Sequence, residues 1–77
     1  MKRSIKLNAY HKWLLQAYGN NLLAIAAQLA MDCFSNNGMA WDTLKETGDT
    51  TCNSDNFIKA AQLIIDNYVD KRNHIRK

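Results

Sequence analysis

Three short polar stretches, each containing a single glycine, divide this 77-residue chain into four segments in which apolar residues recur at helical spacing. The glycines are Gly19, Gly38 and Gly48. Glycine readily adopts the left-handed conformation that ends many helices, and the neighbouring asparagine, serine and threonine residues favour turns and caps. Each glycine is therefore predicted to end a helix, and the four segments predict four helices.

The first two predicted helices differ in how much of their surface is apolar. The first begins at Ser4 or Asn8 and ends at Tyr18, and its apolar residues gather on the side that should face the core. The second, about 21–34, is apolar nearly all round, apart from a narrow polar strip. A helix of this kind is typical of a buried central position, so we expect the other helices to surround it.

The remaining two predicted helices have unequal lengths. The third, around 39–47, is too short to be stable alone and should dock through Trp41 and Leu44. The fourth, about 54–73 or beyond, has the clearest amphipathic pattern in the chain. No segment has the alternating pattern of a strand, so no sheet is expected. The sequence predicts an all-α fold, a compact bundle of three main helices plus one short helix, with residues 1–77 as a single small domain.

Six apolar residues of the second and fourth helices are predicted to form one buried cluster. They are Leu22, Ile25, Leu29, Phe57, Ile64 and Tyr68. A domain of this length buries only about 60% of the surface that its unfolded chain exposes, so its stability should be modest. Losing one such side chain should therefore threaten the fold.

Charge is segregated along the chain, although the net charge is only +3. Residues 1–12 carry four cations and no anion, residues 32–55 carry five acidic side chains against one lysine, and residues 71–77 carry four more cations. Cations in the last turn of a helix interact favourably with its carbonyl end, so the helix itself explains the C-terminal group. Cations at the start of a helix oppose the dipole, so the N-terminal group indicates either an anionic partner or a frayed, solubilising terminus.

Cysteine content and hydropathy indicate the compartment. Cys33 and Cys52 are too few for the disulfide framework of a small secreted domain, so reduced thiols and a cytoplasmic location are expected. Polar residues interrupt the basic start of the chain, which therefore lacks the apolar run of a signal peptide. The longest apolar stretch, 22–34, falls short of the roughly 18 residues that span a bilayer, so no transmembrane segment is predicted.

Groups that could support catalysis or bind a metal are scattered. His11 and His74 lie far apart in sequence, and no two glycines are closer than ten residues apart, which excludes a glycine-rich phosphate loop. The cysteines and histidines lack the paired spacing of a structural zinc site. Asp66 and Asp70 have the spacing of a carboxylate pair, but no further ligands accompany them. We therefore expect no enzyme, no cofactor and no metal site.

Non-catalytic binding is the function that the sequence favours, with a protein as the partner. Acidic and basic zones are segregated, two leucines fall outside the predicted core faces, and one tryptophan lies on the short third helix. The predicted partner-binding residues are Lys2, Arg3, Lys6, Lys12, Leu15, Trp41 and Leu63. Size alone suits a small regulatory protein, such as an adaptor, an inhibitor or a phage or plasmid accessory protein.

Nucleic acid, a membrane surface and a second copy of the chain are the alternative partners. Nucleic acid is the second prediction, bound through the basic N-terminal segment, because the segment that follows the one candidate helix-turn-helix turn is too acidic for a DNA groove. Membrane-surface binding is disfavoured, since Tyr10, Trp13 and Tyr18 are needed on or beside the core face. The sequence is also compatible with self-association into a homo-oligomer.

Overall fold

Four helices form the bundle in the computed structural model, which describes the backbone of residues 5–75 and the side chains of residues 5–68. They are α1 (Ala9–Tyr18), α2 (Leu22–Phe34), α3 (Gly38–Lys45) and α4 (Ser54–Ile75). The part of the chain that the structure describes contains no strand. The prediction of an all-α bundle with three main helices and one short helix is confirmed.

Each helix begins after an asparagine whose side chain caps it. These residues are Asn8, Asn21, Asn37 and Asn53, and in each case Oδ1 accepts a hydrogen bond from the backbone N–H of the residue three positions later. Such a cap satisfies one of the N–H groups that the first turn leaves unpaired, and it typically contributes about 1 kcal/mol. Four asparagines therefore set the points at which the helices start.

Left-handed backbone positions separate the helices, but not always at the expected residue. Gly19 and Gly48 have φ angles of 63° and 85°, as the prediction requires. Gly38 is instead the first residue of α3, and Asn36 takes the left-handed conformation after α2, with φ of 61°. Asparagine tolerates this region better than most residues, so the turn does not need glycine there. The role predicted for Gly38 is wrong.

The core lies where α2 meets its neighbours. α2 contacts all three other helices, and its most extensive interface is with α4. Each helix contributes at least one side chain with no exposed surface to this core, namely Leu14, Ile25, Leu29, Leu44 and Ile64. The predicted central position of α2 and the predicted docking of α3 through Leu44 are therefore confirmed.

The predicted core cluster is correct for four residues of six. The buried members are Ile25, Leu29, Phe57 and Ile64. Leu22 is only partly buried against the cluster. Tyr68 is 39% exposed, so its predicted burial is wrong. The reason is length: α4 has 22 residues and α2 has 13, so the apolar face of α4 continues past the helix that covers it.

The segment before α1 is packed onto the bundle. Ile5 and Leu7 are buried, and the backbone N–H of Ile5 donates to Oδ1 of Asn67 on α4 at 3.0 Å. The amide of Asn67 in turn donates to the carbonyl of Leu63 at 2.7 Å. The explanation of a frayed terminus therefore fails for residues 5–8, which form part of the fold.

The core assignment predicts that Ile64→Ala lowers the unfolding free energy by about 2–5 kcal/mol, because the fully buried side chain would leave a cavity. Urea titration followed by circular dichroism measures this loss. Met31→Ala is the matched control, since it removes an exposed side chain from α2 and should change stability by about 0.5 kcal/mol or less. A loss near zero for Ile64→Ala would mean that α4 does not pack as described.

Candidate protein-binding surface

α2 is not buried on every side. Leu23, Met31 and Phe34 are 67%, 61% and 70% exposed, and Ala27 is exposed beside them. The expectation that this helix is surrounded is therefore wrong. The three helices that contact α2 leave one of its sides uncovered.

Four residues on the open side of α2 form a continuous apolar stripe. Leu23, Ala27, Ala30 and Phe34 are spaced four, three and four residues apart, which places them within about 60° of one another around the helix. These four residues are the α2 stripe. It extends about 16 Å along the helix and has the spacing of the seam between paired helices. The stripe therefore has the pattern and length of a surface onto which another helix packs.

The α2 stripe carries no charge because the charged residue of α2 points the other way. Asp32 lies about 180° around the helix from Leu23. There it accepts hydrogen bonds from the Tyr10 hydroxyl at 2.5 Å and from Nε2 of Gln28 at 2.9 Å. The Tyr18 hydroxyl donates to Oε1 of Gln28 at 2.7 Å. Burial, reinforced by the neighbouring carboxylate, raises the pKa of Tyr10, so its phenol remains a donor at neutral pH.

A groove of about 210 Å³ lies between the α2 stripe and the start of α4. Its lining consists of Leu23, Ala26, Ala27 and Ala30 from α2, with Ser54, Phe57 and Ile58 from α4. The groove owes its depth to the three alanines, which have little side chain to fill it, and Ser54 supplies its one polar side chain. An apolar cavity of about 150 Å³ holds benzene, so this groove can receive a phenylalanine or leucine side chain.

Phe34 projects from the end of the α2 stripe. Its ring packs edge-on against the buried ring of Phe57, with centroids 6.2 Å apart and planes inclined by 68°. Aromatic pairs favour this geometry. The contact orients the Phe34 ring through one of its sides, and most of the ring remains exposed to solvent. The surface thus combines a groove and a projecting aromatic ring on the same face.

The apolar residues predicted to bind a partner do not form this surface. Leu15 is buried, so its predicted exposure is wrong. It belongs to a core cluster that also includes Ile5 and Leu7, which precede α1 and lie outside the helical pattern. Trp41 and Leu63 are partly buried against the same core. The indole N–H of Trp41 donates to the carbonyl of Cys33 at 3.1 Å and so fixes α3 onto α2.

The predicted basic residues are exposed where the structure describes them. Lys6 precedes α1, Lys12 lies on α1, and both are exposed. Lys2 and Arg3 lie outside the described residues, as do the side chains of the C-terminal cations assigned to the helix end. Of the five predicted binding residues that the structure describes, Lys6 and Lys12 are thus exposed, whereas the apolar three are buried or partly buried.

His11 lies in the core, where it is 4% exposed. Its Nδ1 accepts a hydrogen bond from the backbone N–H of Asn8 at 3.2 Å, which assigns the ring proton to Nε2. Nε2 then donates to Oγ1 of Thr43 at 2.7 Å, and that hydroxyl donates to the carbonyl of Met39 at 2.9 Å. Burial lowers the pKa of His11, against the opposite effect of the Glu46 carboxylate. The neutral ring therefore links the cap of α1 to α3.

The remaining titratable groups do not assemble into a site. Cys33 is buried, Cys52 is exposed, and both are free thiols. Within the described residues, no three His, Cys, Asp or Glu side chains lie close enough together to hold a metal ion. None of the helices, as far as the chain is described, is long and apolar enough to cross a membrane.

Comparison of the chain with models of known protein families, with curated proteins and with solved structures finds no match. Inference about function therefore depends on the groove, the α2 stripe and the charges of the chain itself.

Protonation of His11 is predicted to destabilise the fold, because a proton on Nδ1 would face the Asn8 N–H that this atom accepts. The pKa of His11 is lower in the folded chain than its ordinary value of 6.5. The unfolded chain therefore binds more protons just below that pH, so stability is fully present above about pH 6.5 and declines as the pH falls toward the folded pKa.

Urea titrations between about pH 5 and 7.5 measure this dependence. In His11→Gln the side-chain oxygen can still accept the Asn8 N–H, and the part of the slope that His11 supplies should disappear. An unchanged slope in that variant would show that His11 does not carry the dependence.

Proposed function

We propose that this chain is a non-catalytic binding protein, and that the α2 stripe and the adjoining groove receive an apolar helix of a protein partner. The supporting observation is the size and continuity of the surface: its exposed apolar side chains extend the length of one helix. Their combined area is on the order of 400 Å², which is within the range of the largest apolar patch on a typical monomer, and such patches are often functional.

The rest of the fold supports reading this surface as a site. No buried polar side chain among the described residues lacks a hydrogen-bond partner. Single exposed leucines are ordinary, but Leu23, Met31 and Phe34 lie together on one helix. An otherwise well-packed bundle that leaves one helix open is typical of a protein that covers that helix when it binds.

The proposed mode of binding is a helix in a groove. An amphipathic helix presents apolar side chains at positions i, i+3 or i+4, and i+7, which matches the spacing of the α2 stripe. One of these side chains enters the groove, and the alanines allow the two helices to approach closely.

A regulatory role, as an adaptor, an inhibitor or a phage or plasmid accessory protein, is part of the proposal, because such proteins act by association and the described residues present an apolar surface for it. The two free thiols suit a reducing compartment such as the cytoplasm.

Nucleic acid is the second candidate partner, and the exposure of Lys6 and Lys12 favours it. Together with Lys2 and Arg3 they could neutralise four phosphates. The affinity for duplex DNA would then fall with the logarithm of salt concentration with a slope of about −3 to −4. Binding to an apolar groove depends far less on salt. Salt dependence therefore separates the two candidates.

Selection of displayed helical peptides against the chain tests the proposal. We expect enriched peptides to carry apolar residues at i, i+3 or i+4, and i+7, and to change affinity less than about threefold between 50 and 200 mM salt. Phe34→Glu and Ala27→Glu, both at exposed positions, should each weaken this binding at least about tenfold, because a charge would be buried in an apolar contact.

Gln16→Glu is the matched control, since it introduces the same charge at an exposed position of α1 and should leave peptide binding unchanged. Failure to enrich any such peptide would contradict the proposal. Tight, steeply salt-dependent binding to duplex DNA, lost when Lys6 and Lys12 are replaced by alanine, would favour the nucleic-acid candidate instead.

A further inference from the structure

We infer that a second copy of this chain occupies the groove when no other partner is bound, forming an antiparallel α2–α2 dimer in which each copy inserts Phe34 into the groove of the other. The inference rests on the proposed function, because it names an occupant for the same surface. It is carried by the shape and the charge of that surface.

The Phe34 ring and the groove lie on the same face of α2. Their distance along the helix allows each of two copies to place its ring over the groove of the other. Consider two α2 helices packed antiparallel about a two-fold axis between Ala30 and Met31. Phe34 and Ala27 are equally far from that axis, about 5 Å to either side along the helix. The ring of Phe34 from one copy therefore lies over Ala27 of the other, where the groove is.

The same symmetry fills both grooves and closes the assembly. In an isologous contact each copy presents the same patch, so each supplies one ring and one groove. No ring or groove is then left over to recruit a third copy. Ala30 and Met31 lie equally close to the axis. Ala30 is part of the α2 stripe, and its small side chain does not hold the two helices apart, whereas the exposed Met31 lies about 70° around the helix from the centre of the stripe, at the edge of the contact.

Charge within the contact does not oppose a second copy in this position. Neither the α2 stripe nor the groove lining contains a charged side chain, so pairing buries no like charges although each chain has a net charge of +3. The exposed cations Lys6 and Lys12 lie outside α2, before α1 and on α1. Self-pairing therefore meets no electrostatic barrier within the contact.

The area of the surface predicts a weak dimer. Each copy contributes on the order of 400 Å² of exposed apolar area, so the pair buries on the order of 800 Å², below the roughly 1,200 Å² at which stable interfaces begin. We therefore expect dissociation in the range of about 10 to several hundred μM. Such a dimer covers the apolar surface at high concentration and is displaced by a partner with a larger contact.

Sedimentation equilibrium of the full chain between about 5 and 500 μM tests the inference. We expect a reversible monomer–dimer equilibrium that Phe34→Glu and Ala27→Glu each weaken at least about tenfold, because either change buries a charge in the contact. Gln16→Glu adds the same charge on α1 and should leave the equilibrium unchanged.

An isotope-filtered NOE experiment on a mixture of labelled and unlabelled wild-type chain tests the geometry without any substitution. The expected result is an intermolecular contact between the Phe34 ring and the Ala27 methyl group. A chain that stays monomeric at the highest concentration, a dimer that persists in Phe34→Glu, or a dimer without this contact would each overturn the inference. Peptide binding measured at low micromolar concentration is independent of these outcomes, so the proposed function can stand when the dimer fails.

Discussion

The contact between α2 and α4 is the interaction on which the rest of the structure depends. It is the most extensive interface of the bundle, and it buries Ile25, Leu29 and Ile64 completely. The other helices attach to α2 by specific hydrogen bonds, α1 through Tyr10 and Asp32 and α3 through the Trp41 indole. The side of α2 that carries Leu23, Ala27 and Phe34 stays largely exposed.

Polar side chains determine how this small core is arranged. Four asparagine caps set the starts of the helices, and Asn67 ties the N-terminal segment to α4. His11 completes the cap of α1 and reaches Thr43, so one neutral ring joins two helices. Each bond contributes about 1 kcal/mol, which matters in a domain whose buried area is limited by its length. The same bonds make the fold sensitive to acid through His11.

Helical spacing of apolar residues and the polar, glycine-containing stretches between the segments were enough to predict the helices, the central place of α2 and most of the core. The errors share a cause: spacing identifies an apolar face but not what covers it. Tyr68 lies on the apolar face of α4, a helix much longer than α2, and is 39% exposed, while Leu15 is buried in a cluster that includes the non-helical residues Ile5 and Leu7. His11 occupies the third helical position after Asn8, where a capping box normally has Glu or Gln, so the pattern that places its ring against the cap was present in the sequence.

The α2 stripe could also be recognised in the sequence, because its residues are spaced four, three and four apart and two of them are alanines. However, a helix that is apolar all round has the same sequence pattern whether three neighbours or four surround it.

The central claim is that α2 has one buried side and one open side, and thiol accessibility measures it directly. In a Cys52→Ser background the remaining native thiol, Cys33, is on the buried side of α2, where burial raises its pKa to about 11 and leaves little reactive thiolate. Ala27→Cys in the same background introduces a thiol into the α2 stripe. Reaction with a chromogenic disulfide at about 1 μM protein, about tenfold below the lower end of the expected dimer dissociation range, should modify one thiol quickly in this variant and none in its parent. Equal protection of both thiols, or rapid reaction of Cys33 in the folded parent, would contradict the account.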